Sequence, residues 1–477
     1  MKEVVLTIMV VAFAGGCVTP LIDRNNGVPV EPPSTWTVDQ EKVLFPFEDG
    51  WIDDFEGGDL VGLVRKSLLH NLDLRAAAGR LEAARATASI SRADRWPQAT
   101  GRQDNIRRQR TGTTGFAITS SRNNNFSLSL SLNWELDIWG KLRDAHQAAL
   151  ADWQAAQEDY RAARLSLAAR TVQTWFDVVE AGLQVRLAED TVRSFEANLL
   201  TIEQRFRSGI SRALDLRLTR ANVSVARSRL EARKEQLDAV VRRLEVFMGQ
   251  YPAYKLSVAD RLPQIRHPVP AGLPSELLAR RPDIAAAERR LAAAGERVKV
   301  SKKSRLPTIR LTGGGGTSTD DFNQLLNMDF KVWNIGSGII QPLFQGGRLL
   351  ANVKRRQAQY QIALADYGQI ALTAFREVES ALASESYLAG QEEELRVAAE
   401  ESMSAADLAW DQYQRGLNDI MTVLESQRRS FDSQRQLLQI SNARLQNRVD
   451  LYLALGGDFE LGEIKEDADP NVRLELP

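Results

Sequence analysis

The chain has 477 residues, of which 61 are lysine or arginine and 62 are aspartate or glutamate, so its formal net charge is −1. This balance excludes the basic excess that is typical of nucleic-acid-binding proteins. A single cysteine excludes an intramolecular disulfide, and the three scattered histidines, His70, His146 and His267, argue against a histidine-rich metal site or a Cys/His catalytic pair. We therefore expect no cofactor, no metal, no nucleic-acid partner and no enzymatic activity.

The N-terminus has the layout of a secretory signal. Charged residues at 2-3 precede an apolar run from Val4 to Ala14, and two glycines lead to Cys17. The only cysteine stands where a bacterial lipoprotein carries its lipid, although Ala14 replaces the usual leucine. We predict a lipoprotein-type signal peptide at 1-16 and an N-terminal extended segment at 17-60 that is anchored to the outer membrane through Cys17. A signal peptide with an incidental cysteine is the alternative.

Four landmarks recur in the same order in the two halves of the chain. They pair Leu72–Leu74 with Pro282–Ile284, Glu158–Tyr160 with Ala365–Tyr367, Phe206–Gly209 with Tyr413–Gly416, and Met248–Gly249 with Leu455–Gly456. A duplicated structural unit predicts such an order, whereas the alternative is the general likeness of helices rich in alanine, arginine and leucine. We predict repeat 1 at 61-249, a linker at 250-271, repeat 2 at 272-457 and a polar tail at 458-477.

Each repeat contains a candidate pair of strands. From Phe126 to Leu136 apolar and polar residues alternate, which is the pattern of a membrane β-strand or of a half-buried strand in a soluble protein. Its expected partner, near Gln98 to Arg107, is poorly patterned. The second repeat offers strands at 308-313 and 332-340, and we expect the polar stretches 110-125 and 314-327 to form surface loops.

Very long helices follow each strand pair. The windows 98-251 and 343-469 contain no proline, and both show seven-residue spacing of apolar and small residues. The first window predicts a helix from about Lys141 to Phe206, which stops at Gly209, and the second a matching helix that stops at Gly416. Further helices are predicted at 213-248 and 420-455, so each repeat ends in a long antiparallel hairpin.

The number of strands predicts an oligomer. A membrane barrel must close, because an open sheet edge cannot remain in lipid, and single-chain bacterial barrels have at least eight strands. One chain supplies about four. Two copies would give eight strands and three would give twelve, of which only the larger ring leaves room for a solute channel.

Two blocks of sequence resemble those of a known family. They are Gly272–Leu278 followed by Arg280–Ile284, and Tyr413–Gly416 followed by Leu424–Arg428. Both resemble the TolC/OprM-like outer-membrane efflux factors, within them the NodT-like lipoprotein branch. Pro282 and Asp283 also fit a helix start, so we interpret the first block as structural.

The resemblance implies an α+β membrane protein that works as a homotrimer. Four strands per chain would form a twelve-stranded transmembrane β-barrel in the outer membrane of a Gram-negative bacterium, continued by a long periplasmic α-helical barrel. The resemblance further implies a passive exit duct for small molecules such as drugs, which docks a periplasmic adaptor and an inner-membrane RND-type pump. A lipid-anchored periplasmic coiled-coil scaffold or adaptor without a pore is the alternative function; it does not account for the alternating strand.

The same resemblance places the functional residues at the hairpin tips. It implies a periplasmic gate made of Asp215, Tyr413, Met421, Glu425 and Arg428, in which Asp215 pairs across to Tyr413. Most relatives have aspartate at the position of Glu425, and some have a gating arginine at the position of Asn418. The expected adaptor contacts are Arg207, Ser208, Gly209, Arg415, Gly416 and Leu417. Ordinary helix-surface roles are the alternative for the gate residues.

Overall fold

A computed structural model describes residues 51–55, 60–256, 259–266 and 280–457. The predicted signal peptide, Cys17, the block 272-278 and the polar tail 458-477 lie outside these residues. Among the helices of the described segments, none is long and apolar enough to cross a membrane.

After α1, the described parts of the two halves contain matching long helices and strands in the same order. The first half has α1 (Leu60–His70), α2 (Leu72–Ala93), β1 (Gln98–Thr114), β2 (Ala117–Leu136), α3 (Lys141–Arg207) and α4 (Ala213–Phe247). The second half has α5 (Pro282–Lys303), β3 (Thr308–Thr319), β4 (Lys331–Ile340), α6 (Arg348–Gln414) and α7 (Ile420–Ala454). Matching helices have equal lengths: 22 residues in α2 and α5, 67 in α3 and α6, and 35 in α4 and α7.

The two longest helices organise the helical part. At the end near the sheet, α3 packs between α2 and α5, and α5 also contacts α6. At the other end, α3 packs against α4 and α7, and α7 packs against α6. The hairpin end is therefore a single layer in the order α4, α3, α7, α6, with α4 and α6 at its two edges.

In the first half, the end of α4 meets the start of α2. The side chain of Asn71 caps α2 by accepting a hydrogen bond from the Leu74 amide at 3.0 Å, and its own amide donates to the Phe247 carbonyl at 3.1 Å. Gly249 ends α4 with a φ of +67°, and a Cβ at this position would lie 2.3 Å from the carbonyl oxygen of His70. Only glycine combines that backbone conformation with that close approach.

The second half makes the same junction with an arginine. Arg281 is the N-cap of α5 and only 8% of it is exposed. Its guanidinium binds Asp283 at 2.7 Å, Glu377 at 2.8 Å and the Ala454 carbonyl at the end of α7 at 3.1 Å. The predicted helix start is confirmed, since Pro282 opens α5 and Asp283 lies in its first turn.

The largest apolar core lies where these helix ends meet. Trp51, Ile52 and Phe55 pack there together with buried residues of α1, α3, α4 and α7. This core contains a buried ion pair. Arg448, which is 1% exposed, donates from Nε to Asp54 Oδ2 at 3.2 Å. The hydroxyl of Tyr452 donates to the same oxygen at 2.6 Å.

The four strands form one antiparallel sheet in the order β1-β2-β3-β4. Its register aligns Leu130 with Gly101 and Gly315, and Gly315 with Trp333, so these residues share a face. That face exposes large apolar side chains: Leu130 is 54% exposed and Trp333 is 75% exposed. β1 and β4 are the edges of this sheet, each paired on one side only.

One predicted loop is almost entirely strand, and the other is strand in its first part. β1 extends to Thr114 and β2 starts at Ala117, so only Gly115 and Phe116 form a turn where the stretch 110-125 predicted a loop. β3 likewise continues to Thr319. Beyond the pairing of Phe126 with Thr319, β1 and β2 form a two-stranded ribbon. Most described side chains of this ribbon are exposed, so these strand segments need no apolar alternation, and the pattern that marked β2 is missing there.

Candidate functional site at the hairpin tips

Both hairpins turn through the same glycine geometry. Gly209 after α3 and Gly416 after α6 have φ values of +76° and +74°. In each turn the amide after the glycine donates back into the last helical turn, from Ile210 to Arg205 at 2.8 Å and from Leu417 to Gln412 at 2.9 Å. The turns expose one large apolar side chain each, since Ile210 is 65% exposed and Leu417 is 71% exposed.

An arginine and a tyrosine join the two tips. Nη1 of Arg205, on α3, donates to the carbonyl of Tyr413, on α6, at 3.3 Å, and the guanidinium lies 4.7 Å from the centre of the tyrosine ring. The ring of Trp410 stacks on the ring of Tyr413, with 5.8 Å between their centres. Tyr413 is only 7% exposed, so it belongs to the interior of the tip.

A small apolar cluster supports this contact. It contains residues from all four helices of the layer: Ile202, Leu216, Ala409, Tyr413, Ile420, Val423 and Leu424. The two hairpins are therefore packed together at their tips within one chain. Opening between them would expose this cluster to water.

Asp215 caps the start of α4 and does not bind Tyr413 within the chain. Its carboxylate accepts from the backbone amide of Arg212 at 3.1 Å and from the Arg212 guanidinium at 3.2 Å. The hydroxyl of Tyr413 instead lies 3.5 Å from Oγ of Ser211. The expected pairing of Asp215 with Tyr413 is thus replaced, in a single chain, by two separate contacts of neighbouring residues.

Glu425 and Arg428 are bound to each other on the surface of α7. Arg428 donates to the two carboxylate oxygens of Glu425 at 2.9 and 2.8 Å, and Arg429 donates a further bond at 2.8 Å. These bonds, first from Arg429 and then from Arg428, hold the pKa of the Glu425 carboxyl below its usual value. The same pair raises the pKa of Arg428. Arg429 was not predicted as part of the site, although its spacing of four residues from Glu425 could have indicated it.

The start of α7 contains the remaining gate candidate, Met421, and two polar residues that precede it. Asp419 caps the helix by accepting from the Thr422 amide at 2.9 Å, and this bond lowers the pKa of its carboxyl. Met421 is 48% exposed, as an apolar residue directed to a partner or a lumen would be. Asn418 donates to Gln412 of α6 at 2.6 Å, so it fastens the turn.

No group of three or more His, Cys, Asp or Glu side chains is arranged to hold a metal ion in the segments that the structure covers. The carboxylates of Asp215, Asp419 and Glu425 are instead bound by arginines or by backbone amides at helix starts.

Comparison with known proteins decides the family. Residues 63–250 and 273–457 match the family described as outer membrane efflux protein. The chain belongs to this family. It is 30% identical over 419 residues to the cation efflux system protein CusC of Escherichia coli O6:H1, which covers 86% of this chain and 88% of CusC. It is 32% identical over 444 residues to the pyoverdine export outer membrane protein OpmQ of Pseudomonas putida, with 90% and 93% covered.

Solved structures share the fold. The open state of the Neisseria gonorrhoeae MtrE outer membrane channel superposes with a TM-score of 0.80 at 25% identity, covering 92% of this chain and 98% of that one. The Campylobacter jejuni CmeC outer membrane channel gives a TM-score of 0.83 at 25% identity, covering 90% and 92%. This outer membrane efflux protein therefore has the architecture and the function of an outer-membrane efflux channel.

Proposed function

We propose that three copies of this outer membrane efflux protein close into one tube, with a twelve-stranded β-barrel in the outer membrane and an α-helical barrel in the periplasm. The observation that carries this proposal is the sheet: its apolar face is exposed, and among the described residues its edge strands β1 and β4 each have a neighbour on one side only. Lipid tolerates an apolar face but no open edge, so further copies must pair with both edges. A coiled-coil scaffold without a pore has no use for such a sheet.

Aromatic and apolar side chains at the junction between sheet and helices support this placement. Trp96 is 64% exposed, Leu343 is 91% exposed and Phe344 is 89% exposed, and all three lie between a helix and a strand. Rings of aromatic residues mark the two edges of the apolar band in membrane barrels. We assign this junction to the periplasmic surface of the outer membrane, with a lipid on Cys17 as a second anchor.

We infer that the two halves are copies of one unit, with repeat 1 at 61-249 and repeat 2 at 272-457. The equal helix lengths and the double match to the family support this inference. Each copy contributes two strands and one hairpin, so neither could close a barrel alone. Three chains would place six copies around one axis.

The tube is proposed to be the exit duct of a tripartite efflux system that includes a periplasmic adaptor and an inner-membrane RND-type pump. The tips, Arg207 to Gly209 and Arg415 to Leu417, are the proposed adaptor contact. Their support is the pair of glycine turns with exposed Ile210 and Leu417, which offer backbone and apolar surface together. The relatives CusC and OpmQ are named for different cargoes, and we assign none to this chain.

The gate is proposed to consist of Asp215, Tyr413, Met421, Glu425 and Arg428 at the periplasmic end. Threefold symmetry would bring three Glu425 carboxylates near the axis, where like charges repel. Binding to Arg428 and Arg429 offsets that repulsion, because each carboxylate arrives with two cations of its own helix. Breaking these bonds and the Asp215 cap would loosen the constriction.

Replacement of Glu425 and Asp215 by alanine tests both the duct and the gate. We expect the double variant to raise single-channel conductance in planar lipid bilayers severalfold, because it removes the charged contacts that narrow the tip. The matched control is Glu393→Ala, which breaks an exposed pair with Arg396 on α6, farther from the tip, and should leave conductance unchanged. If wild type and double variant had equal conductance, the assignment of these residues to a gate would be wrong. If the wild type formed no channel, the proposed function as an exit duct would be wrong.

A further inference from the structure

The order of helices across one chain fixes which surfaces meet in a ring. At the hairpin end the layer runs α4, α3, α7, α6, so its free edges are α4 and α6. If identical copies close around an axis, as the proposed function requires, the contact is head to tail and α6 of one copy faces α4 of the next. The inference below rests on that proposed ring.

The contact between α3 and α7 inside one chain is a template for this seam. α6 matches α3 and α4 matches α7 in length, and both pairs align from their first residues. In the template, Gln427 of α7 donates to Oγ of Ser194 at 3.3 Å and accepts from Asn198 at 2.7 Å. Asn198 is 3% exposed and Gln427 is 7% exposed, so α3 and α7 exclude water here.

The matching positions at the free edges show where a neighbour is missing. Counted from the first residue of each helix, Glu401 and Ala405 of α6 occupy the positions that Ser194 and Asn198 occupy in α3. Arg220 of α4 likewise occupies the position of Gln427 in α7. All three of these edge residues are exposed, although their template counterparts are buried or half-buried. A position that faces the partner helix of the same hairpin shows no such difference: Val192, which packs against α4, and its counterpart Ala399 are both buried.

We infer that Arg220 of one copy forms an ion pair with Glu401 of the adjacent copy. The template brings their counterparts Gln427 and Ser194 within hydrogen-bond distance, and the charges of the edge residues are opposite. Arg220 already donates Nε and Nη2 to Glu203 of its own chain at 3.2 and 2.7 Å, and these two bonds do not use Nη1, which can donate to a second acceptor. In the portion of the chain that the structure describes, Glu401 has no hydrogen-bond or ion-pair partner.

The other template contacts give no further ion pair. Gln173 binds Asp450 in the template, and the matching residues at the seam are Ser380 and Arg243. Asn442 binds Asp177 in the template, and the matching residues are Glu235 and Ser384. Both are polar pairs with one charge at most. Arg220 and Glu401 therefore supply the charge-specific part of the seam, once per contact and three times per ring.

A double-mutant cycle on the full-length protein in detergent tests the pair. The readout is the ratio of trimer to dissociated chain in native mass spectrometry as temperature and salt are raised. Arg220→Ala and Glu401→Ala should each lower this ratio by roughly fivefold per seam, so on the order of a hundredfold for three seams, and the double variant should lose little more. High salt should shrink the difference from wild type.

The matched control is Arg227→Ala, one heptad along α4. Arg227 binds Glu196 of its own chain at 2.6 Å, as Arg220 binds Glu203, but its counterpart Gln434 donates to Ser430 of its own helix and, within the described residues, makes no side-chain hydrogen bond to α3. Its effect should add to that of Glu401→Ala. Additive effects of Arg220→Ala and Glu401→Ala in a protein that does form trimers would overturn the ion pair alone. A wild type that forms no trimer would overturn the ring of the proposed function, and the pair with it.

Discussion

Two carboxylates on neighbouring helices have pKa shifts of opposite direction because their surroundings differ. Glu425 lies on the tip surface, where bonds from Arg429 and Arg428 lower its pKa. Glu180 lies in the middle of α3 and is 7% exposed, and burial raises its pKa although Gln184 donates to it at 2.8 Å. The tip carboxylate thus stays charged readily, whereas the core carboxylate is destabilised when it is charged.

Replacement of Glu180 by glutamine should stabilise the helical part at neutral pH. A carboxyl whose pKa is raised by folding disfavours the folded state once the pH exceeds its unfolded pKa of 4.5, and fully so above its folded pKa. Glutamine keeps the shape without the charge. We expect Glu180→Gln to gain about 1 kcal/mol at pH 7.5 and to lose this gain as the pH falls toward 4.5, measured by thermal unfolding in detergent.

The control for this substitution is Glu82→Gln on α2. Glu82 is exposed and makes only a loose pair with Arg85, at 3.6 Å, so its change should shift stability by less than about 0.5 kcal/mol at either pH. A gain for Glu180→Gln that does not depend on pH would contradict the role of the buried charge.

The helices could be predicted closely from the sequence, whereas the outer ribbon could not. Missing prolines, heptad spacing and terminal glycines placed α3 to within one residue of its observed end at Arg207, because helix signals are local. The ribbon of β1 and β2 beyond Phe126 gave no such signal. Its pairing is set by backbone hydrogen bonds between polar strands, which leave no apolar period in the sequence.

The candidate site was predictable only where its contacts are local. Glu425 and Arg428 are three residues apart on one helix, and their pair is present in the structure. The expected link between Asp215 and Tyr413 joins different hairpins, so it depends on how the tips pack, and the chain places Ser211 beside the tyrosine hydroxyl instead. The contact of Arg205 with Tyr413 was missed for the same reason.

The junction between α4 and α2 depends on Gly249 more than the hairpin tip depends on Gly209. Both residues have positive φ, so alanine is strained at either position. A Cβ on Gly249 would also collide with the His70 carbonyl, while nothing lies within 4 Å of one on Gly209. We expect Gly209→Ala to cost about 1 kcal/mol and Gly249→Ala about 1–3 kcal/mol more, read from denaturant unfolding followed by helical circular dichroism.

The two glycine variants serve as each other's control because the backbone strain is common to both. Equal losses of stability would mean that the end of α4 can move away from α2 at little cost. The close approach of Gly249 to His70 would then not be what holds the end of α4 against the start of α2.

At the scale of the whole molecule, the segment before α1 joins the two halves of the chain. Phe55 forms a β-bridge with Ile265, and its ring packs on Phe176 of α3 at 5.0 Å between centres. Trp51 stacks on Tyr452 of α7 at 5.7 Å. One short segment therefore contacts the long helix of the first half and the last helix of the second. The core formed there belongs to neither half alone.

Asp54 is the group in this segment on which the fold should depend most. Its carboxylate accepts a hydrogen bond from Arg448, which is 1% exposed, so Asp54→Asn would remove a negative charge from beside a buried guanidinium, at a cost of about 3 kcal/mol in unfolding free energy. Adding Arg448→Met should recover part of the loss, because that guanidinium is then absent. Asp260→Asn, at an exposed pair with Arg186, is the control and should be nearly neutral. If Asp54→Asn matched this control in thermal unfolding, the buried pair would not be what joins the halves.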